Sequence, residues 1–291
     1  MTNILTIDVE DYFHPTEVSA SVRASQWDAL PSRVEYATSL VLDLLAEAGV
    51  RATFFVLGWV ASRHPALIRR IAEAGHEIAC HSFSHALVYS LTPQEFREDT
   101  RDAADAIAQA AGVRPRAYRA PSFSITSRSL WALEILIECG FDTDSSIYPV
   151  RHDRYGIPSH PVFPHRIYTP SGPVLEVPPA AVPLSPRRNA PAGGGAYLRL
   201  LPSAYVAAGI RLLNNTHNAP ACIYAHPWEF DPAQPRLASG AIARIRTYLG
   251  LHSMALKLRR LLASFPFDTL GAVCPPAGVY PLLQPPSRGI S

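Results

Sequence analysis

The chain has 291 residues, with 26 Lys and Arg against 24 Asp and Glu for a formal charge of +2, and 48% of its residues are hydrophobic. That length and apolar content supply a buried core for one large domain or two small ones, and exclude global disorder and a coiled coil. The balanced charge contains no run of Lys and Arg, so no nucleic-acid partner is expected.

The opening segment MTNILTIDVEDYF lacks the charged, apolar and small-residue regions of a signal peptide. No stretch approaches the roughly 18 consecutive apolar residues of a transmembrane segment, so a cytoplasmic protein, at most peripheral to a membrane, is expected. Cys80, Cys139, Cys222 and Cys274 are widely spaced and form no C-x-x-C pair, which predicts reduced core residues.

Short runs rich in β-branched and aromatic residues predict strands at 4–9, 52–57, 77–80, 117–119 and 141–144. Helical signatures lie between them. Ser32-Arg33-Val34-Glu35 has the pattern of a capping box opening a helix that Gly49 closes, and Thr92-Pro93-Gln94-Glu95 opens another that ends near Gly112. Helices over 66–74 and 127–139 end at Gly75 and Gly140. From 146 to 196 the alternation lapses. Eleven of the 28 prolines fall there, which predicts a long excursion with one embedded strand at 174–177. After Gly193-Gly194-Gly195, a helix at 203–215, a strand at 221–226 and an amphipathic helix at 241–264 restore the pattern. About seven strands alternating with helices require a mostly parallel sheet, as an α/β barrel or a doubly wound sheet. The expected organisation is a single domain over 1–274, followed by a Pro-rich tail over 275–291 that is an extended wrap or a frayed end.

Polar residues cluster at the C-terminal ends of the predicted strands: Asp8, Glu10 and Asp11, then His81 and His85, Arg119, Asp144, Glu176 and His226. In a parallel barrel these ends share one rim, where active sites sit. His81-Ser82-Phe83-Ser84-His85 places two imidazoles at i and i+4, so that a helical turn would aim both at one metal ion. Asp8-Val9-Glu10-Asp11 offers a carboxylate ligand beside a second carboxylate free to act as a base toward water. Asp8 and Glu10 share a face if the strand continues, and Asp11 replaces Glu10 as ligand if the chain turns there. His14, His64, His152 and His252 have no comparable company.

These residues carry a resemblance to the polysaccharide deacetylases of carbohydrate esterase family four, which share homology with nodulation-type chitooligosaccharide deacetylases. The carboxylate motif, His81 to His85, Arg119-Ala120-Pro121, Asp144-Ser145-Ser146 and Tyr224-Ala225-His226 stand in the family's order. IDVEDYF, RATFFVLGWVA, RAPSFSI, DSSIYP, GGGAYLRLLP and His226-Pro227-Trp228 further resemble exosortase-associated exopolysaccharide deacetylases. The resemblance implies a distorted (β/α)7 barrel, TIM-like, and metal-dependent removal of N-acetyl groups from an oligo- or polysaccharide, in exopolysaccharide biosynthesis. It implies one divalent ion, zinc first, with cobalt, nickel or iron as alternatives. Asp8 matches the general base, His226 the general acid, Arg119 the residue that positions the base, and Asp144 a carboxylate partnering the basic side of the site. His81 and His85 match metal ligands. Glu10 stands where many members have Asp, with Asp11 as its alternative.

A metal of this kind would polarise the acetyl carbonyl, with a backbone N–H near Ser122 or Phe123 completing the oxyanion site. Phe123, Tyr148, Tyr197 and Trp228 are candidates for stacking on a sugar or for plugging the rim with apolar bulk. Glu176 matches a recurrent family position facing the cleft. Arg199 orients a polymer or anchors its loop, and Glu229 and Asp231 cap the loop after His226. The competing readings are a barrel hydrolase for another C–N bond, of deformylase or cyclic-amide type, and an inactive carbohydrate-binding scaffold. A phosphate-dependent enzyme is disfavoured, because no Gly-rich phosphate loop opens a helix.

Overall fold

The computed structural model describes residues 1–185 and 188–284. In chain order, β1 (Asn3–Val9) leads through α1 (Val34–Ala48) to β2 (Thr53–Val56), and through α2 (Gly58–Arg63) and α3 (Pro65–Glu73) to β3 (Glu77–Cys80). Helix α4 (Pro93–Ala111) precedes β4 (Ala117–Tyr118), and α5 (Trp131–Glu138) precedes β5 (Thr143–Asp144). The second half adds β6 (His165–Ile167), β7 (Val174–Glu176), the antiparallel pair β8 (Ala181–Ser185) and β9 (Arg188–Pro191), α6 (Gly195–Leu200), α7 (Ser203–Thr216) and β10 (Cys222–Ala225). It ends with α8 (Ala241–Tyr248), α9 (Leu251–Ser264), β11 (Phe267–Asp268), α10 (Leu270–Val273) and β12 (Leu282–Leu283).

Seven parallel strands run in the order β10-β1-β2-β3-β4-β5-β7. Just beyond β7, Pro179 bridges Cys222 in parallel and the Ala180 N–H donates to the Cys222 carbonyl at 2.9 Å, which closes the ring. The result is a distorted (β/α)7 barrel, irregular where β4 and β5 shrink to two residues each. Ile4, Phe55, Ala79, Ala117, Leu175, Val177 and Cys222 fill a small inner core, to which Leu270 of α10 and Cys274, just after that helix, contribute. A larger apolar layer packs the helices onto the sheet. All four cysteines are free and buried.

Local chemistry accounts for the helix ends. Thr92 accepts from the Glu95 N–H at 3.2 Å while the Glu95 carboxylate accepts from the Thr92 N–H at 2.7 Å, the reciprocal box expected of that sequence. Gly49 and Gly112 end α1 and α4 at φ 64° and 73°, a region costly for any residue with a Cβ. The box expected at Ser32 does not form. Asp11, from the chain just after β1, accepts instead from the backbone N–H groups of Arg33 at 2.9 Å and Val34 at 3.2 Å, and from the Ser32 hydroxyl at 2.6 Å. A carboxylate at a helix N-terminus is a stronger partner than a neutral hydroxyl.

Three other expectations are corrected. The helix expected over 241–264 is two helices, α8 and α9, separated at Gly250 (φ 85°). The excursion over 146–196 carries β6, β8 and β9 as well as β7. The helix expected from 127 starts at Trp131. In the tail, β12 pairs with β6 in parallel; the rest of it, from residue 285, lies outside the described residues.

Candidate active site

A cleft of about 330 Å³ opens at the C-terminal ends of the strands, and Asp8, Glu10, His81, His85, Phe123, His226 and Trp228 all line it. Three donors converge at its floor. Glu10 Oε1 lies 3.1 Å from His81 Nε2 and 2.9 Å from His85 Nε2, and among the described residues only Glu10, His81 and His85 meet as a set able to hold a metal ion. The two histidines converge by a route other than the helical turn expected. The turn between them carries positive φ at Ser82 (65°) and His85 (55°). Asp99 of α4 clamps it by accepting from the N–H groups of Phe83 at 2.8 Å and Ser84 at 3.0 Å. The turn's own carbonyls accept from Gly58 and Trp59 at the start of α2.

The donor set fits a cation. The His81 Nδ1–H donates to the Arg119 carbonyl at 2.8 Å, so a neutral ring presents its lone pair at Nε2, facing the Glu10 carboxylate. Two electron-rich atoms at that separation repel unless a positive charge lies between them or the ring gains a second proton. A carbonyl that fixes the far nitrogen of a ligating histidine is a common feature of metal sites. Burial alone would raise the Glu10 pKa, but the charges of His85 and His226 and the close approach of the His81 and His85 rings outweigh it and hold the carboxyl well below its usual range.

Asp8 stands beside this triad. Its Oδ1 accepts from Arg119 Nη1 at 2.7 Å, and the same nitrogen donates to Thr6 Oγ1. Arg119 is fully buried, and its remaining donors reach the Ser145 hydroxyl at 2.8 Å and the Ser145 carbonyl at 3.2 Å. The second Asp8 oxygen is left 3.8 Å from His226 Nε2. At His226, burial lowers the pKa, but the carboxylates of Glu10, Glu229 and Asp8 outweigh it and raise the pKa to about 9. The ring is therefore charged at neutral pH and able to donate a proton.

Four expected roles change. Asp11 is not available as a ligand, because its carboxylate caps α1. Asp144 does not partner Arg119 or His226. It is buried, accepts from the Ser146 hydroxyl at 2.6 Å and hydrogen-bonds Glu176. Glu176 does not face the cleft: it is buried, and it accepts from the Ile147 N–H at 3.1 Å. Two carboxyl groups in contact cannot both ionise, and burial followed by the charge of Asp144 holds the Glu176 pKa well above its usual range. The reason is alternation along the strand: Ser145 turns inward to Arg119, so its neighbour Asp144 turns outward, beside its register partner Glu176. Trp228 lines the cleft, but its indole N–H donates to Glu10 Oε2 at 3.3 Å. His226 stacks on its ring at 5.2 Å, and Arg199 lies 5.5 Å from the centroid, so the indole faces are engaged by protein.

Other features had no strong signal. Ser122 adopts φ 50° and ψ 31°, a strained conformation for a residue with a Cβ, and it lines the cleft. Of the two N–H groups expected near an oxyanion, that of Phe123 already donates to the Ala120 carbonyl at 3.0 Å, whereas that of Ser122 meets no acceptor among the described residues. His14 is buried, with its ring 6.5 Å from that of His85, and His152 stacks on Tyr155 at 3.8 Å on the cleft wall. Glu229 accepts from His226 Nδ1 at 3.0 Å, and Asp231 pairs with Arg33. The i, i+3 spacing of His226 and Glu229 was the one sequence clue to the first of these contacts.

Comparisons with known proteins agree with this architecture. A family profile described as polysaccharide deacetylase matches residues 17–142, and one described as a domain of unknown function, DUF3473, matches 145–274. Asp8 and Glu10 precede both segments. The chain is 33% identical over 110 residues to a peptidoglycan-N-acetylglucosamine deacetylase of Bacillus cereus, an alignment covering 36% of this chain and 40% of that protein. It is 35% identical over 99 residues to a chitooligosaccharide deacetylase of Rhizobium leguminosarum bv. trifolii, covering 33% and 46%. The chain thus spans less than half the length of these curated relatives. The crystal structure of a presumed polysaccharide deacetylase from Mycobacterium smegmatis superposes with a TM-score of 0.64 at 21% identity, over 97% of this chain and 93% of that one, and so shares the fold.

Proposed function

We propose that the chain, whose residues 17–142 match the polysaccharide deacetylase profile, is a member of that family and a metal-dependent hydrolase removing N-acetyl groups from amino-sugar residues of a polysaccharide or its precursor, in exopolysaccharide biosynthesis. The observation that carries this reading is the cleft itself. The Glu10, His81 and His85 triad lies beside a carboxylate fixed by Arg119, with a charged imidazole 3.8 Å from that carboxylate.

Glu10, His81 and His85 would hold a divalent ion, zinc in the first place and cobalt, nickel or iron as alternatives, which would supply Lewis acidity toward the acetyl carbonyl and the attacking water. Asp8 takes a proton from that water through Oδ2 while Arg119 holds Oδ1. The Ser122 N–H, which meets no acceptor among the described residues, is the backbone donor for the developing oxyanion. His226 gives its Nε2 proton to the departing amine. Phe123 and Trp228 wall the cleft and leave room for the sugar. The substrates named for the two relatives, peptidoglycan N-acetylglucosamine and chitooligosaccharide, make N-acetylated chitooligosaccharides the first compounds to test.

The test is acetate release by the metal-loaded protein and its Asp8→Asn and His226→Ala variants. Each positioned acid or base contributes about 10² to 10⁴ in rate, so each variant should lose that much in kcat while retaining its metal. Wild-type turnover in either variant would remove that residue from its role.

A further inference from the structure

We propose that Glu229, anchored by Arg199, is the positioning residue that fixes the tautomer and aim of His226; this rests on the deacetylase reading above. His226 follows β10 directly, and the short turn Pro227–Phe230 brings Glu229 back over it. A single carboxylate oxygen, Glu229 Oε2, accepts from both the His226 backbone N–H at 2.9 Å and Nδ1 at 3.0 Å. That contact keeps a hydrogen on Nδ1 and leaves Nε2 as the nitrogen facing Asp8. When His226 gives up its Nε2 proton, the neutral ring is left as the Nδ1–H tautomer, the form that Glu229 stabilises. Without the carboxylate the proton is free to reside on either nitrogen, and the ring is free to turn about χ2.

Glu229 is itself held. Its other oxygen accepts from Arg199 Nε at 2.5 Å, and Glu229 and Arg199 are both buried. The remaining Arg199 nitrogens donate at 2.5 Å each to the carbonyls of Leu249 and Arg246, at the C-terminal end of α8. Every arm of the guanidinium fork is therefore used, and both carboxylate oxygens are engaged. Arg199 reaches this place because Gly194 and Gly195 run flat against the Tyr224 ring; a Cβ on Gly194 would lie 2.2 Å from Tyr224 Cδ1. Asp144, the other carboxylate considered for the basic side of the site, is occupied with Glu176, so Glu229 alone meets Nδ1 among the described residues.

The experiment compares Glu229→Gln with the double variant Arg199→Met, Glu229→Gln, which leaves no buried charge alone, each made in the wild-type and His226→Ala backgrounds. Acetate release from an N-acetylated chitooligosaccharide gives kcat and KM for the zinc-loaded proteins, and ¹⁵N spectra of the His226 imidazole, recorded at a pH where the ring is neutral, report which nitrogen carries hydrogen. Glu229→Gln should lower kcat about 10²-fold with KM within about threefold of wild type. It should shift the imidazole from Nδ1–H to mixed tautomers and cause no further loss once His226 is Ala. An unchanged nitrogen signature, an unchanged kcat, or an equal loss in the His226→Ala background would overturn the proposal. Wild-type protein that releases no acetate would sink the deacetylase reading alone, because the nitrogen signature still decides whether Glu229 fixes the ring.

Discussion

Arg119 carries a full charge into the barrel interior, where Asp8 is its ion-pair partner at 2.7 Å. Removing one member of such a buried pair strands the other, at a cost of about 3–5 kcal/mol. Arg119→Met should therefore lower stability by that amount in urea denaturation, and the added change Asp8→Asn should restore part of it. His226 supports a second prediction. A pKa raised to about 9 from an ordinary 6.5 contributes stability that is fully present below pH 6.5 and is lost as pH rises through about 9. Glu10 is the largest favourable cause of that rise, so a divalent cation that neutralises Glu10 should bring the His226 pKa down. An NMR titration of metal-free protein should place His226 near 9, and added zinc should lower it; a value unmoved by zinc would contradict a cation at Glu10. At this scale the identities of Asp8, Glu10, His81, His85 and His226 were legible as polar residues ending apolar strands. Their partners were less so: the i, i+3 spacing of His226 and Glu229 was a single clue, and Ser122 acts through a backbone angle that no spacing encodes.

Elements were legible where their causes are local. The reciprocal box at Thr92 depends on residues three apart, and it formed as written. The start of α1 depends on Asp11, more than 20 positions earlier in the chain, and a local reading assigned the cap to Ser32 instead. The break between α8 and α9 is also set at a distance: a Cβ at Gly250 would lie 3.0 Å from the Arg199 carbonyl. The Asp144 and Glu176 pair joins β5 to β7, and it gives a pH prediction of unusual sign. Glu176 binds its proton more tightly folded than unfolded, so its contribution to stability is present at low pH and lost as pH rises through the raised value. Glu176→Gln keeps a donor toward Asp144 at every pH. The variant should melt higher than wild type at pH 8 and lose that advantage at pH 4, and equal melting temperatures at both would show that the pair shares no proton.

At the scale of the molecule, the alternation of strand and helix determined the parallel sheet, and seven strands closed it into a barrel through one contact beyond β7. Closure puts Asp8 at the end of β1, Glu10 just after it, and His81, Arg119 and His226 directly after β3, β4 and β10 on a common rim, although they span more than 200 positions of the chain. The position along each strand was therefore readable, whereas the inward or outward direction at Asp144 and Glu176 depended on a register fixed only in three dimensions. Among the described residues no helix is long and apolar enough to cross a membrane. The central claim is that metal held by Glu10, His81 and His85 drives removal of N-acetyl groups. The most direct measurement is acetate release from an N-acetylated chitooligosaccharide by chelator-stripped protein before and after zinc is restored. Release should appear only with the metal and be absent in a His81→Ala, His85→Ala variant given the same zinc. Release that survives the chelator, or none with zinc, cobalt, nickel or iron, would contradict the account.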